Sequence, residues 1–253
     1  LDMGYTVSGS DISRSDATHR LEQNGATVFI GHDKLNIRDA DAVVMSTAIS
    51  ASNPEVQAAK KQGKRLFHRA DILADLMNMR LGIAVAGAHG KTTTTSMIAL
   101  MLEQSGLDPT VIIGGELDKI GGNGKYGMGE YLVAEADESD GSFLKLSPQI
   151  AIVTNIENDH LDYYETMDNI LASFEQFLKK VPADKGLAIL CFDNNYVREI
   201  AIKLNRKYVS YAIDHPAEFT ARNVRVDGIS TTYDTFRFED YLGSITINVP
   251  GKH

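Results

Sequence analysis

The sequence has little of several residue classes, and each shortage excludes a class of protein. Its 253 residues include one cysteine, Cys191, which rules out a disulfide framework, and we expect this thiol to be buried and unreactive. Lys and Arg number 25 against 34 Asp and Glu, and the net charge of −9 argues against a nucleic-acid-binding surface. No apolar run reaches the roughly 18 residues of a membrane span, and no signal peptide opens the chain. These shortages predict a cytoplasmic protein without membrane insertion.

The hydrophobic content and the order of apolar and helix-like segments favour an α/β protein of two domains. The hydrophobic fraction of 43% can fill a substantial core. The first 80 residues alternate short apolar runs with helix-like stretches, which predicts a Rossmann-like domain over residues 1–80. We expect strands at 5–9, 27–30 and 42–45, and helices at 17–24, 53–62 and 70–79.

The pattern changes after residue 80, where we place the domain boundary. Continuous apolar runs at 131–134, 150–153 and 187–190 predict parallel strands covered on both faces, with a helix at 167–180. Residues 219–249 alternate apolar and polar side chains, which predicts an antiparallel sheet, and the glycines of 121–124 predict a surface turn. Residues 81–253 are thus expected to form a P-loop-type, mostly parallel α/β ATPase domain with an added antiparallel sheet.

The most informative segment is a glycine loop between an apolar run at 83–86 and a helix-like stretch at 96–104. Glycines let the backbone approach phosphate oxygens, and a lysine and threonine at a helix start add a charge and a possible Mg²⁺ ligand. A strand-to-helix turn can require glycine for geometry alone, but glycine, lysine and threonine in register favour nucleoside triphosphate binding. The spacing is a shortened variant of the common P-loop. The predicted nucleotide-binding residues are Gly87, Ala88, His89, Gly90, Lys91, Thr92 and Thr93.

Two acidic strings follow predicted strands at the same sheet edge. Residues 135–140 follow the strand at 131–134, and residues 155–162 follow the strand at 150–153. Either string alone would be read as a solvated loop. Together with the glycine loop they favour a magnesium-dependent ATP site. Asp11, after the first strand, is equally well explained as a ribose or base contact and as a turn or cap residue.

Three strings, 86–95, 134–143 and 154–162, resemble motifs of the Mur ligases, and the segments 9–11, 31–32, 46–49 and 53–55 resemble the uridine-nucleotide domain of that family. Within the family the chain is most similar to members that add L-alanine to UDP-N-acetylmuramate. The resemblance implies ATP-dependent ligation through an acyl phosphate in peptidoglycan synthesis. It implies that Lys91 holds the transferred phosphoryl group, Thr92 and Glu135 hold one Mg²⁺ ion, and His160 holds a second. Asp11 and Ser46 are the candidate UDP-sugar contacts.

The sequence also departs from the family pattern. Position 88 is Ala where the family usually has Thr, and the family's first glycine-rich turn would precede residue 1. Residues 250–253 resemble the start of an adenine-contacting Gly-x-His-Asn motif, and from the resemblance we expect that the family's amino-acid-binding third domain is not part of this sequence. We therefore expect this chain to fold as two domains but to ligate little by itself. Alternatives are a muropeptide-recycling ligase that adds a tripeptide, a folylpolyglutamate synthetase, and a non-catalytic nucleotide-binding module.

Overall fold

The computed structural model describes residues 1–249, apart from the side chains at positions 116 and 118. The chain divides into two compact units, Leu1–Leu73 and Ala74–His253. Both units contain parallel strands and helices. The domain boundary expected near residue 80 lies a few residues after this division, between a helix that ends at Asn78 and a strand that begins at Leu81. The assignment of a separate function to each domain stays a prediction.

The first unit contains two pairs of parallel strands. Its elements are β1 (Ser8–Asp11), α1 (Asp16–Gln23), β2 (Thr27–Ile30), β3 (Ala42–Met45), α2 (Pro54–Lys61), β4 (Arg65–His68) and α3 (Arg69–Asn78), which continues into the second unit. Strand β1 pairs with β2, and β3 pairs with β4. The predicted strands at 27–30 and 42–45 are confirmed. The first strand begins three residues later than expected and ends two residues later, and β4 was not predicted.

Helix starts in this unit follow from capping side chains. The Ser15 hydroxyl accepts the Thr18 N–H, and the Thr18 hydroxyl accepts the Ser15 N–H, so α1 begins with two satisfied backbone donors. At α2, Asn53 Oδ1 accepts the Glu55 N–H at 2.8 Å, and Pro54 occupies the first helical position, where no N–H is needed. The capping side chains of Ser15 and Asn53 thus satisfy backbone N–H groups that would otherwise lack partners at the two helix starts.

The second unit is built on one large sheet. Its elements are β5 (Leu81–Ala86), α4 (Lys91–Gln104), β6 (Thr110–Leu117), β7 (Gly122–Lys125), β8 (Tyr131–Glu135), β9 (Ile150–Val153), α5 (Leu161–Tyr164), α6 (Met167–Lys179), β10 (Leu187–Cys191), α7 (Asn195–Lys203), β11 (Tyr208–Ala212), β12 (Phe219–Asp227), β13 (Ser230–Arg237) and β14 (Asp240–Ile247). The strand order is β14-β13-β12-β11-β10-β9-β5-β8-β6-β7.

The pairings confirm the predicted fold class. Seven neighbouring strands are parallel to one another, in the spatial order β12-β11-β10-β9-β5-β8-β6. Strands β13 and β14 at one edge and β7 at the other edge are antiparallel to their neighbours. The expected surface turn at 121–124 is wrong for most of its length, because Gly122–Lys125 pairs with β6. Local glycine content predicts a turn there, but the pairing partner is distant in sequence.

Strand β5 lies inside the parallel region, between β9 and β8. Ile83 and Val85 pack with Val133 of β8 and Ile152 of β9, and all four are buried. Burial on both faces explains why these strands read as continuous apolar runs. The carboxyl ends of β9, β5 and β8 lie at one edge of the sheet, and the loops that follow them are therefore neighbours.

Cys191 ends β10 and is only half-buried, which corrects the expectation of a fully buried thiol. Partial burial still raises the pKa of this thiol, since removal from water disfavours the thiolate. Among the described residues, no helix combines the length and apolar character needed to cross a membrane.

Candidate active site

The glycine loop connects β5 to α4, as predicted. Strand β5 ends at Ala86, and Gly90 caps α4 with a left-handed φ of +81°. The Thr94 N–H donates to the Gly90 carbonyl at 3.0 Å, and only the N–H groups of residues 91–93 precede that first helical bond. These donors and the positive end of the helix dipole suit an anion. The Thr95 side chain, in the next part of α4, is buried in the core.

Gly87 occupies a position that no other residue fits. Its φ is +138°, and a Cβ there would lie 2.2 Å from Thr154 Oγ1 and 2.9 Å from the Asn155 carbonyl oxygen. Real Cβ atoms do not approach other heavy atoms so closely. The glycine therefore allows the loop to lie directly against the end of β9.

Asn155 and Thr154 fasten the loop from that side. Asn155 Oδ1 accepts the His89 N–H at 2.9 Å, and Asn155 Nδ2 donates to the His89 carbonyl at 2.9 Å. Thr154 Oγ1 donates to the same carbonyl at 2.7 Å. The His89 side chain itself is exposed and lies 3.4 Å from Glu157. The sequence pattern gave no role to the Asn155 side chain, which holds both polar backbone groups of one loop residue.

We expect Asn155→Ala to weaken ATP binding by about tenfold, because two hydrogen bonds that shape the loop are lost. Isothermal titration calorimetry with ATP and Mg²⁺ measures the effect. Asn205→Ala, at an exposed position of the same unit, is the matched control and should leave the affinity unchanged. Equal affinities for both variants would show that Asn155 does not shape the nucleotide site.

The Lys91 ammonium lies inside this loop. It donates to the Gly87 carbonyl at 2.6 Å, to the Ala88 carbonyl at 3.4 Å and to Glu138 Oε1 at 2.8 Å. The Glu138 side chain is only 6% exposed. Burial raises the pKa of the Glu138 carboxyl, and the Lys91 ammonium opposes that shift by favouring the charged form.

Thr92 and Glu135 were expected to act together, and the structure places them in contact. Thr92 Oγ1 donates to Glu135 Oε2 at 3.1 Å, and Glu135 Oε1 accepts the Gly114 N–H at 2.7 Å. A hydroxyl and a carboxylate oxygen beside a phosphate loop are the donor types that Mg²⁺ prefers. The chemistry of this pair therefore fits a magnesium ion, which Thr92 and Glu135 would hold beside the glycine loop.

His160 lies close to Glu138, the carboxylate that pairs with Lys91. It precedes α5 with a left-handed φ of +56°, and its Nε2 is 3.9 Å from Glu138 Oε1 and 3.7 Å from Asp159 Oδ2. Glu138 thus faces both Lys91 and His160, although sequence reasoning did not single it out within its acidic string. Within the described part of the chain, no group of three or more His, Cys, Asp or Glu side chains is arranged to hold a metal. Mg²⁺ often takes only one or two protein ligands, so this finding agrees with the Thr92–Glu135 pair.

The two candidate UDP-sugar residues lie in the first unit. Asp11 ends β1, and its Oδ1 accepts the Ser13 N–H at 3.2 Å, which is the turn geometry weighed as its alternative role. Ser46 follows β3, is half-buried, and its carbonyl accepts the Ile49 N–H at 3.1 Å. The motif expected at 250–253 lies outside the described residues.

Glu55 in the same unit was not predicted as a site residue. Its Oε2 accepts the Ser10 hydroxyl at 2.7 Å, and its Oε1 accepts Asn36 Nδ2 at 2.7 Å. The Ser10 hydroxyl also lies 2.9 Å from His32 Nδ1. Glu55 therefore ties the ends of β1 and β2 to the start of α2. The sequence signals were the helix start at Asn53 and Pro54 and the resemblance of segment 53–55 to the uridine-nucleotide domain, and neither assigned a role to the Glu55 side chain.

Two protein-family models match this chain, and together they cover nearly all of its length. The model of the Mur ligase middle domain matches residues 85–253, which is more than half of the chain. The chain belongs to the Mur ligase family. The model described as the Mur ligase family catalytic domain matches residues 1–81 of this Mur ligase chain.

Curated relatives and solved structures agree with that membership. The chain is 55% identical to UDP-N-acetylmuramate–L-alanine ligase of Pelotomaculum thermopropionicum, and 48% identical to the ligase of that name from Desulfatibacillum aliphaticivorans. Each alignment covers 100% of this chain and 55% of the relative, so the chain spans about half the length of these relatives. Among solved structures, UDP-N-acetylmuramate–alanine ligase of Thermotoga maritima has a TM-score of 0.86 at 26% identity, covering 97% of this chain and 55% of that chain. The Neisseria UDP-N-acetylmuramate:L-alanyl-γ-D-glutamyl-meso-diaminopimelate ligase has a TM-score of 0.87 at 24% identity, covering 99% and 82%, and shows the shared fold.

Proposed function

We propose that this chain carries the nucleotide-binding and UDP-sugar-binding parts of an ATP-dependent ligase that joins L-alanine to the lactyl carboxylate of UDP-N-acetylmuramate. The observation that carries the proposal is the Lys91 ammonium inside a glycine loop at a helix start, with the Thr92–Glu135 pair beside it. The names of the relatives at 48% to 55% identity support the choice of substrates. They do not favour the tripeptide ligase, the folylpolyglutamate synthetase or the non-catalytic module.

The proposed reaction has two steps. A lactyl carboxylate oxygen attacks the γ-phosphorus of ATP, and the bond from that phosphorus to the ADP oxygen breaks. The L-alanine amine then attacks the acyl carbon of the resulting acyl phosphate, the amine gives up a proton, and phosphate leaves as the amide forms. Phosphoryl transfer of this kind depends on positioning and charge neutralisation more than on covalent help from the protein.

The catalytic roles assigned to Lys91, Glu135 and His160 follow from that requirement. Lys91 contacts the transferred phosphoryl group, and the N–H groups of residues 91–93 bind phosphate oxygens through the helix start. Thr92 and Glu135 are proposed to hold a Mg²⁺ ion, which neutralises charge on the β- and γ-phosphates when bound. His160 is proposed to hold a second ion, although imidazole is a weaker ligand for Mg²⁺ than oxygen.

In the first unit, Asp11 and Ser46 are proposed to contact the UDP-sugar. Both lie at or just after the carboxyl ends of parallel strands, where open α/β sheets bind their ligands. The proposed substrates are small molecules, and we propose that the protein acts on them in the cytoplasm.

The test is to incubate the complete protein with ATP, Mg²⁺ and UDP-N-acetylmuramate and to vary the amine. We expect ADP release that depends on L-alanine. Release that depends instead on the tripeptide L-alanyl-γ-D-glutamyl-meso-diaminopimelate would contradict the assigned amine. ATP binding without ligation of any amine would contradict the enzymatic proposal as a whole.

A further inference from the structure

The Lys91 ammonium has three N–H donors, and the structure assigns each of them an acceptor. Two of the bonds are short, to the Gly87 carbonyl at 2.6 Å and to Glu138 Oε1 at 2.8 Å. The third, to the Ala88 carbonyl, is 3.4 Å long and therefore weak. A phosphoryl oxygen entering the loop can replace that weak bond without disturbing the two short ones.

Glu138 is held firmly in place. Its backbone carbonyl accepts both the Tyr164 hydroxyl and the Gly141 N–H, so two hydrogen bonds hold the main chain of this residue. Phe143, in the turn that follows, is fully buried against Phe174 of α6, with ring centroids 5.2 Å apart. The Glu138 side chain therefore has little freedom to follow Lys91 if the ammonium moves.

The charge on Glu138 also depends on Lys91. Glu138 Oε2 is buried and has no hydrogen-bond partner within residues 1–249, while Oε1 accepts from the ammonium. A buried carboxylate that loses the ammonium to which it is hydrogen-bonded is strongly unfavourable. If Lys91 left Glu138 to reach the nucleotide, that penalty would oppose nucleotide binding.

We propose that Glu138 is a positioning residue that keeps the Lys91 ammonium over the glycine loop, with its third N–H directed at the transferred phosphoryl group. The inference rests on the proposed function and adds to it a residue beyond Lys91, Glu135 and His160. Glu138 does not contact the nucleotide and acts through Lys91. The opposite possibility, that Glu138 withholds Lys91 from ATP, predicts tighter ATP binding once the carboxylate is neutralised.

A double-mutant cycle on ATP affinity separates these roles. Calorimetry with ATP and Mg²⁺ is applied to the unmodified protein, Glu138→Gln, Lys91→Ala and the double variant. We expect Glu138→Gln to weaken binding by about tenfold in the presence of Lys91. In the Lys91→Ala background the same change should cause no further loss, because the residue through which Glu138 acts is gone. In turnover assays of the complete protein, kcat should fall while KM for UDP-N-acetylmuramate stays unchanged.

Glu103→Gln is the matched control. Glu103 forms an ion pair with Lys125 at 2.6 Å near the other end of α4, away from the glycine loop. We expect this variant to bind ATP with unchanged affinity. Thermal unfolding of every variant verifies the fold, and if Glu138→Gln does not fold, Glu138→Asp, which keeps the charge but shortens the side chain, replaces it in the cycle.

Three outcomes would overturn the proposal: an equal loss in both Lys91 backgrounds, an unchanged affinity of Glu138→Gln, or an increased one. Failure of the proposed function is distinguishable from these. In that case the unmodified protein would bind no ATP, whereas ATP binding that depends on Lys91 but not on Glu138 would overturn the positioning role alone.

Discussion

Lys91→Ala is expected to reduce ATP-dependent turnover of the complete protein by at least about 100-fold, the usual effect of removing one fixed charge or donor at a reacting centre. The ammonium lies inside the glycine loop, 2.6 Å from the Gly87 carbonyl, where the β- and γ-phosphates are proposed to bind. Without it, charge that develops on the transferred phosphoryl group has no fixed cation from the protein. ADP release in the presence of UDP-N-acetylmuramate and L-alanine is the measurement.

Lys125→Ala is the control for this change. Lys125 is a similarly sheltered lysine, 25% exposed against 19% for Lys91, and it pairs with Glu103 and Asp108. Its removal takes away the same charge from the same unit at a site with no assigned ligand, and turnover should be unchanged. Turnover of Lys91→Ala equal to that of Lys125→Ala would contradict the assigned active site.

Gly87→Ala is expected to weaken ATP binding by about 10- to 100-fold and to lower the free energy of unfolding by about 1–3 kcal/mol. The new Cβ would lie 2.2 Å from Thr154 Oγ1, in a backbone conformation with φ of +138° that side chains rarely adopt. The loop must then move away from β9, and the bonds from Thr154 and Asn155 to His89 would be disturbed. Calorimetry with ATP and denaturant unfolding measure the two effects.

Gly106→Ala is the control that separates the cost of a left-handed backbone from the cost of a steric clash. Gly106 lies just after the carboxyl end of α4, the helix that the glycine loop precedes, and its φ is +73°. An added Cβ there meets no atom within 4 Å. This variant should lose about 1–2 kcal/mol of stability from the left-handed backbone alone and should bind ATP normally. If Gly87→Ala also bound ATP normally, the close packing of the loop against β9 would have no importance for the nucleotide.

The parts of the fold that sequence predicts best are those with a strong local signal. The segment from β5 through Gly90 to α4 combines an apolar strand, a glycine turn and a hydroxyl-rich helix start, and each of these acts at short range. Strands at 27–30, 42–45 and 150–153 were likewise correct, because runs of valine, isoleucine and other apolar residues favour a buried strand.

The missed features depend on partners that are distant in sequence. Strand β7 consists largely of glycine and polar residues and is defined by pairing with β6. Glu138 is one of several acidic residues in its segment. It can be identified as a site residue only when the fold shows that Lys91, 47 positions earlier, donates to it. Glu55 acquires its role in the same way, through Ser10 and Asn36. Local chemistry identifies such residues as polar, and only the fold shows which of them meet.

The single half-buried thiol of β10 has a practical consequence for spectroscopy. Because burial raises the pKa of Cys191, little thiolate is present at neutral pH, and maleimide reagents should react with it slowly. Ile229 lies in the turn between β12 and β13 with its side chain 78% exposed. Ile229→Cys would therefore accept a fluorophore selectively, in the antiparallel part of the sheet and several strands from β5. The protein can be tagged for single-molecule work without first deleting its own cysteine.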